Sequence, residues 1–426
     1  MLRCVKAILF LVSLVVLPST AYAQAIVGTV RDASGAVLPG VTVEASSPAL
    51  IEKTRSVVTG GTGQYAIENL RPGTYSLSFT LTGFATVTRG GIELTSNFVA
   101  TVNADMKVGG VAETITVTGE TPVVDVATSR TQQTLTSQTI QDIPSSRLYS
   151  SFTQLIPAIN VQGNDIGGAN AAVFSVFQVH GGRRNEGQVL VDNMSGGYQG
   201  MGVSSYVPDI GNSQEVNFSL AGGLGEATTG GPQMNIIGKQ GGNMFAGNFF
   251  LNGTGSALQG SNLTPEIQAK GLKAANTLNK AWDINPTFGG PIARDKLWFW
   301  GGYRYQINRQ GVANMFTNLN AGDPSKWTYL PADGQNGRPM EQAVDDGTWK
   351  DGQLRLTWQP TPRNKVTAWS QVQYICLHCI QGGDSNGLTF GGIVATPEAI
   401  PRNENHPNLM TQVAWSSPVT SRLLLD

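Results

Sequence analysis

The stretch Leu297-Trp298-Phe299-Trp300-Gly301-Gly302-Tyr303-Arg304-Tyr305-Gln306-Ile307-Asn308 splits by parity. Leu297, Phe299, Gly301, Tyr303, Tyr305 and Ile307 share one face, and the other ends in Arg304, Gln306 and Asn308. Side chains alternate across a strand with period two, so this segment has one apolar and one polar face. Residues 353–359 and 366–374 repeat the alternation. Segments of about ten residues, apolar on one side and polar on the other, are the signature of an antiparallel membrane barrel. The connections agree. Residues 290–295, 360–364 and 416–418 read as tight turns, with long polar stretches at about 253–280, 309–348 and 376–407 between them. Short turns alternating with long loops suit periplasmic turns and extracellular loops. Trp298, Trp300, Trp358 and Trp369 are candidates for an interfacial aromatic girdle.

Composition supports β-structure. Glycine is 52 of 426 residues, about 12% against a usual ~7%, and charged residues are 13% against ~25%. The net charge of -1 leaves no footprint for nucleic acid, so no such partner is expected. Arg3 and Lys6 precede an apolar run from Ala7 to Leu17, then Pro18 and Ala21-Tyr22-Ala23. That is a secretory signal peptide over residues 1–23, too short to span a bilayer, with the mature chain starting near Gln24. Cys376 and Cys379 remain, as Cys376-Leu377-His378-Cys379. One C-x-x-C with a single histidine supplies too few ligands for a closed zinc site. In an oxidising compartment a local disulfide between Cys376 and Cys379 is the expected state, and no metal or cofactor is expected.

Residues 24–108 form a first unit. Short alternating runs at 25–30, 41–45, 64–67 and 75–79 are separated by turn clusters such as Asp32-Ala33-Ser34-Gly35, Leu38-Pro39-Gly40 and Arg71-Pro72-Gly73. Strands at this spacing argue for a small β-sandwich. The pattern Gly28-x-Val30-x-Asp32-x-x-Gly35, Leu38-Pro39-Gly40, Gly63-x-Tyr65 and Leu70-x-Pro72-Gly73-x-Tyr75 resembles the carboxypeptidase-regulatory-like domain, a carbohydrate-binding-like fold. The segment holds no histidine or cysteine, so the resemblance implies a docking or structural module and no peptidase chemistry.

Residues 120–240 read as mixed α+β: short helical pieces at 139–144 and 151–157, then a strand, a Gly-Gly turn and a second buried strand across 177–193. Gly181, Gly182, Arg183, Asn185 and Asp192 resemble the R-G-G-R…N…x-x-D pattern in the plug of TonB-dependent outer-membrane receptors, with His180 where that family usually has arginine. The resemblance implies a tight turn with a buried arginine network. Residues 288–300 are similar to a stretch of Oar-like TonB-dependent transporters, which share the order of signal, regulatory-like domain, plug and barrel.

The resemblance gives a role to Glu113-Thr114-Ile115-Thr116-Val117-Thr118, a β-branched run in the linker 109–119 that neither neighbouring domain claims. In composition and location it is similar to a TonB box, which pairs with the energy-transducing protein TonB by β-addition. Its alternative is an ordinary edge strand of the first domain. The expected whole is mostly β: a small sandwich, an α+β plug, and an incomplete barrel over 241–426. About seven strands are visible there, against about 22 in the largest plugged barrels, so the chain reads as an N-terminal fragment.

The implied function is TonB-dependent uptake at the Gram-negative outer membrane, with the N-terminal domains periplasmic. Its partners are the TonB complex, outer-membrane lipid, and an unnamed sugar, peptide or metal chelate. The alternative is an Oar-like surface protein serving adhesion or secretion. No catalytic constellation is present, and an enzyme is not expected.

Overall fold

The computed structural model describes residues 24–50, 53–68, 70–94, 99–109, 114–118, 131–161, 177–183, 186–196, 206–221, 230–361, 363–377, 396–400, 402–420 and 423–425. The chain divides into two compact units, one lying before Thr128 and one running from Ser129 to Val419.

The first unit is a two-sheet sandwich. Its strands are β1 Ala25–Asp32, β2 Thr42–Ser46, β3 Thr54–Val58, β4 Gln64–Ile67, β5 Gly73–Thr80, β6 Thr86–Leu94, β7 Val99–Thr101, β8 Ala104–Met106 and β9 Thr114–Thr118. β1 is flanked by β4 on one side and by β7 then β8 on the other; the second sheet runs β3-β2-β5-β6-β9. Between them lies a core with Ile26, Val43, Ile67, Leu77, Phe79 and Met106 fully buried. The motif residues have physical jobs. At the break between β7 and β8 the Val102 carbonyl lies where a Cβ on Gly28 would be, so only glycine fits. The Asn103 carboxamide accepts from Thr29 N across that break (2.9 Å), and the buried Tyr65 hydroxyl donates to Val102 O (2.7 Å). Tyr75 Oη donates to Arg71 O (2.7 Å) and closes the Arg71-Pro72-Gly73 turn.

The second unit opens with β10 Thr131–Thr136, helix α1 Ser137–Asp142, helix α2 Tyr149–Thr153, β11 Ile159–Val161, β12 Phe177–Val179, β13 Gln188–Val191, β14 Met194–Ser195, β15 Ser213–Ala221 and β16 Gln233–Gly238. Thr136 caps α1 through Thr139 N (3.2 Å), and Pro144 follows its end. The inner sheet has the order β10-β15-β16-β13-β14, with β13 parallel to β16. The strands either side of Gly181-Gly182 do not pair with one another. β12 pairs with β11 and β13 with β16 and β14.

Seven strands then form an antiparallel wall in sequence order: β17 Ala246–Gly255, β18 Thr277–Ala293, β19 Leu297–Phe316, β20 Gln342–Thr361, β21 Asn364–Leu377, β22 Asn403–Thr420 and β23 Leu423–Leu425. The tight connections closed by the pairs Ala293–Leu297 and Thr361–Asn364 fall where the sequence puts them. Ser416-Ser417-Pro418, read as a turn, instead lies inside β22. The long connections are shorter than expected, since β19 and β20 each run for 20 residues. Only ~9–11 residues are needed to cross a bilayer. These strands continue past the membrane, where polar residues such as Asp345 and Asp346 extend the ladder opposite Gln310 and Arg309.

Wall parity follows the sequence. Arg304, Gln306 and Asn308 are buried on the inward face, while Tyr303, Leu354, Leu356, Val372, Leu409 and Val413 are outward and exposed. An apolar patch this extensive is a lipid-facing surface. The girdle differs from expectation. Trp298, Trp300 and Trp369 are buried inward, and of the four only Trp358 faces out. On the outer face Trp358 and Trp415 share one level through Val366, and Tyr305 and Tyr374 share another through Lys350. Lys350 and Trp358 are eight residues apart on β20. At ~3.3 Å per residue and a tilt of about 40° the levels lie roughly 20 Å apart, close to the height of an outer-membrane apolar band.

Candidate functional site

The inner sheet meets the wall through buried polar groups. Arg304 on β19 is fully buried, and all five of its N–H groups are used. Nε and Nη2 donate to Asp283 of β18 (3.0 and 2.6 Å), Nη1 to Asp209 (3.0 Å) and the Arg147 carbonyl (3.1 Å), and Nη2 also to the Ser146 carbonyl (3.0 Å). Three of these five bonds cross from wall to inner sheet. Arg147 has φ of 51°, and its own guanidinium lies 4.1 Å from the Phe250 ring of β17. The face of Trp349 covers Arg304 at 4.7 Å. Asp209 also accepts from Asn285 Nδ2 (2.8 Å) and Gly211 N (3.2 Å), capping the short helical turn Ile210–Asn212. Burial and the neighbouring Arg304 charge lower the Arg147 pKa.

A second contact joins Asp192 to Arg355 of β20, and Asp192 also accepts from Gly238 N (3.1 Å). Asp192 and Asn193 both have positive φ, the geometry of a type I′ turn between β13 and β14. That turn carries the aspartate to the wall. A third contact is neutral. The Tyr206 hydroxyl donates to Gln371, and Gln373 accepts from Val207 N (3.2 Å) and donates to Val207 O. Both glutamines donate to Asp351. Burial, then nearby carboxylates, raise the Tyr206 pKa; burial lowers that of Lys239, whose ammonium lies 5.4 Å from the Trp300 ring. At Gly302 a Cβ would fall 2.7 Å from Asn212 Nδ2, so the wall is bare where the Ile210–Asn212 turn packs on it.

The expected site residues divide. Asp192 lies in the seam. Gly181, Gly182 and Arg183 are exposed and Asn185 lies outside the described residues. Among the described residues no buried arginine lies at that turn: His180 and Gly181 both take left-handed backbone (φ 50° and 73°), Arg183 is exposed, and the buried arginines are Arg304 and Arg355 on the wall. Cys376 is buried and disulfide-bonded, and Cys379 lies outside the described residues. Among the described residues no cluster of metal-ligating side chains occurs, and no helix is long and apolar enough to cross a membrane.

The segment expected to lack a partner has one. Thr114–Thr118 pair in parallel with Thr86–Gly90 of β6 and end the five-stranded sheet; Glu113 lies outside the described residues. Pairing stops at Gly90, next to the positive-φ Gly91. The reading that neither domain owns this strand is therefore corrected, because β6 offers an open edge that alternation within 113–118 alone does not reveal.

At the far end of the wall, Asp333 is held between Lys273 Nζ (2.7 Å) and Arg338 Nη2 (2.7 Å), joining two long connections. The hydrogen bond from Lys273 sets its carboxyl below the usual range. Trp327 in the same loop is exposed.

Residues 25–107 match the carboxypeptidase regulatory-like domain. Over 310 residues the chain is 30% identical to the TonB-dependent transporter Oar of Myxococcus xanthus. That match covers 68% of this chain but 28% of the relative, so the chain spans little more than a quarter of the relative's length. Similar solved structures include the ferric enterobactin receptor of Pseudomonas aeruginosa, 15% identical with a TM-score of 0.44 over 68% of this chain and 39% of that one. The outer membrane transporter YddB of Escherichia coli is 12% identical with a TM-score of 0.42, over 60% and 34%. The assignment rests on the sequence match, the regulatory-like domain and the lipid-facing wall. The chain is thus similar over most of its length to an Oar-like TonB-dependent transporter, and it carries a carboxypeptidase regulatory-like domain at residues 25–107.

Proposed function

We propose that this chain supplies the regulatory-like domain, plug and first wall strands of a receptor that takes up a ligand by TonB-driven movement of the plug. The observation that carries the reading is the seam. A lipid-facing wall holds an inner sheet through hydrogen bonds and ion pairs, contacts with directional geometry that can break and re-form as a set. In this reading residues 120–240 are the plug, residues 1–23 direct export, and the N-terminal unit faces the periplasm. Thr114–Thr118 are the main-chain contact for TonB. The ligand, a sugar, peptide or metal chelate, is met by the long connections beyond the membrane.

The test is energised uptake in cells carrying the intact gene, screened across candidate nutrients with and without the proton-motive force. Ile115→Pro removes a backbone donor and fixes φ, which a paired strand does not tolerate. Uptake should fail in that variant while ligand still binds at the cell surface. Wild-type uptake in Ile115→Pro would refute the TonB contact. Surface location without energised accumulation of any ligand would favour adhesion or secretion.

A further inference from the structure

The edge strands of the first unit differ. β3 carries Arg55 with Lys53 directly before it, β4 has four residues, and β7 and β8 have three each. Natural edge strands are kept from pairing with foreign chains by charge, proline or shortness. β9, Thr-Ile-Thr-Val-Thr, joins five residues with no charge and no proline, and it ends its sheet. A paired strand directs alternate residues' N–H and C=O groups to opposite sides, so pairing with β6 leaves the other side of β9 open. Among the described residues, the same five thus have one edge held by their own domain and no strand on the other.

We propose that the partner's strand adds to the free edge of β9 while β6 keeps the other edge. The regulatory-like domain then forms part of the docking platform, and pull reaches the receptor through a sheet shared by two proteins. The proposal rests on the reading of Thr114–Thr118 as the TonB contact. It specifies which edge is used and what stays attached. A partner that had to strip β9 from β6 would gain one ladder by losing another; addition at the free edge loses none.

The test is amide hydrogen exchange on the full-length protein in detergent, with and without the purified C-terminal periplasmic domain of the host's TonB as probe. Addition at the free edge should slow exchange in 114–118 by about tenfold or more and leave 86–90 within about twofold of the unbound rate. Exchange in 86–90 accelerated about tenfold or more on binding would mean that β9 is stripped from β6, and would overturn the proposal. A disulfide staple between the register partners Thr88 and Thr116, as Thr88→Cys with Thr116→Cys, gives a second readout against each single variant. The stapled protein should bind the probe as the single variants do. Binding lost only in the stapled protein overturns the proposal and leaves the TonB contact standing. A wild-type protein that does not bind the probe at all removes both.

Discussion

Asp209→Ala tests the seam most directly. The substitution leaves three buried N–H groups without an acceptor: one of Arg304, one of Asn285, whose Nδ2 keeps the Tyr303 carbonyl, and Gly211 N. Removing one partner of a buried ion pair costs about 3–5 kcal/mol, because the remaining charge stays buried and unpaired. Arg304 keeps Asp283, which makes two bonds to it, so the lower end applies, about 3 kcal/mol. At 1.4 kcal/mol per decade that is roughly a 150-fold rise in local opening. Native-state amide exchange on the intact protein reads this as faster exchange across 207–213, with the wall strands unchanged. Asp209→Asn retains an acceptor for Gly211 N and loses the charge, so its effect should be smaller. Arg304→Met should cost at least as much as Asp209→Ala, since it strands two carboxylates. Acceleration below about threefold in Asp209→Ala would refute the assignment of the seam to this ion pair.

Arg355→Gln removes the charge facing Asp192, a group that also holds Gly238 N, and should loosen the β13–β14 turn by about 2–3 kcal/mol, read by exchange at 190–195. Gly302→Val puts side-chain atoms where Asn212 lies and should destabilise the plug by about 1–3 kcal/mol; an unchanged denaturation midpoint for the plug would count against the close approach. Asp333 has a depressed folded pKa, so its contribution is present above the ordinary carboxylate value and is lost as pH falls through the lowered one. Protease cleavage of the 317–341 loop should therefore rise in acid below about pH 4, and Asp333→Asn should show that higher cleavage already at neutral pH.

The wall was legible because its physics is local. Each strand must show lipid one face, so alternation within ten residues reveals both the strand and the parity of Arg304. The girdle was not legible, since Trp298 and Trp300 sit on the inward parity, where Asn243 and Asn212 accept from their indole N–H groups. Only long-range partners tell such a tryptophan from one at the lipid boundary. The same limit hid Asp209 and Asp283: neither has a local motif, and they meet Arg304 across 95 and 21 residues. Asp192 is legible only through the resemblance to the plug pattern, and its bond to Arg355 needs the fold. β9 went wrong for the opposite reason, since a short β-branched run states that it is a strand and says nothing of its neighbour.

Under the proposed uptake function, the chemistry of the seam bears on how residues 120–240 would both seal the wall and move as a plug. An apolar seam would hold by area, at ~25 cal/mol per Å² however the surfaces slide, and a displaced plug would leave that area wet. A polar seam holds by direction. Arg304 is satisfied only while Ser146, Arg147 and Asp209 occupy their places, so its bonds to the plug fail together and leave a charge that Asp283 still neutralises. In the proposed uptake cycle that residual pairing on the wall would make withdrawal tolerable, because Arg304 would never become an isolated buried cation. Asp283→Asn should expose this. It keeps one acceptor oxygen and Asp209 still pairs Arg304, so with the plug seated its cost should stay below the ~3 kcal/mol of Asp209→Ala, yet it should slow energised uptake by destabilising the proposed plug-out state. Acceleration at 207–213 smaller than in Asp209→Ala, together with reduced uptake, is the expected pair of results. Full uptake in Asp283→Asn would mean that water entering behind the plug, and not Asp283, carries Arg304 through the step.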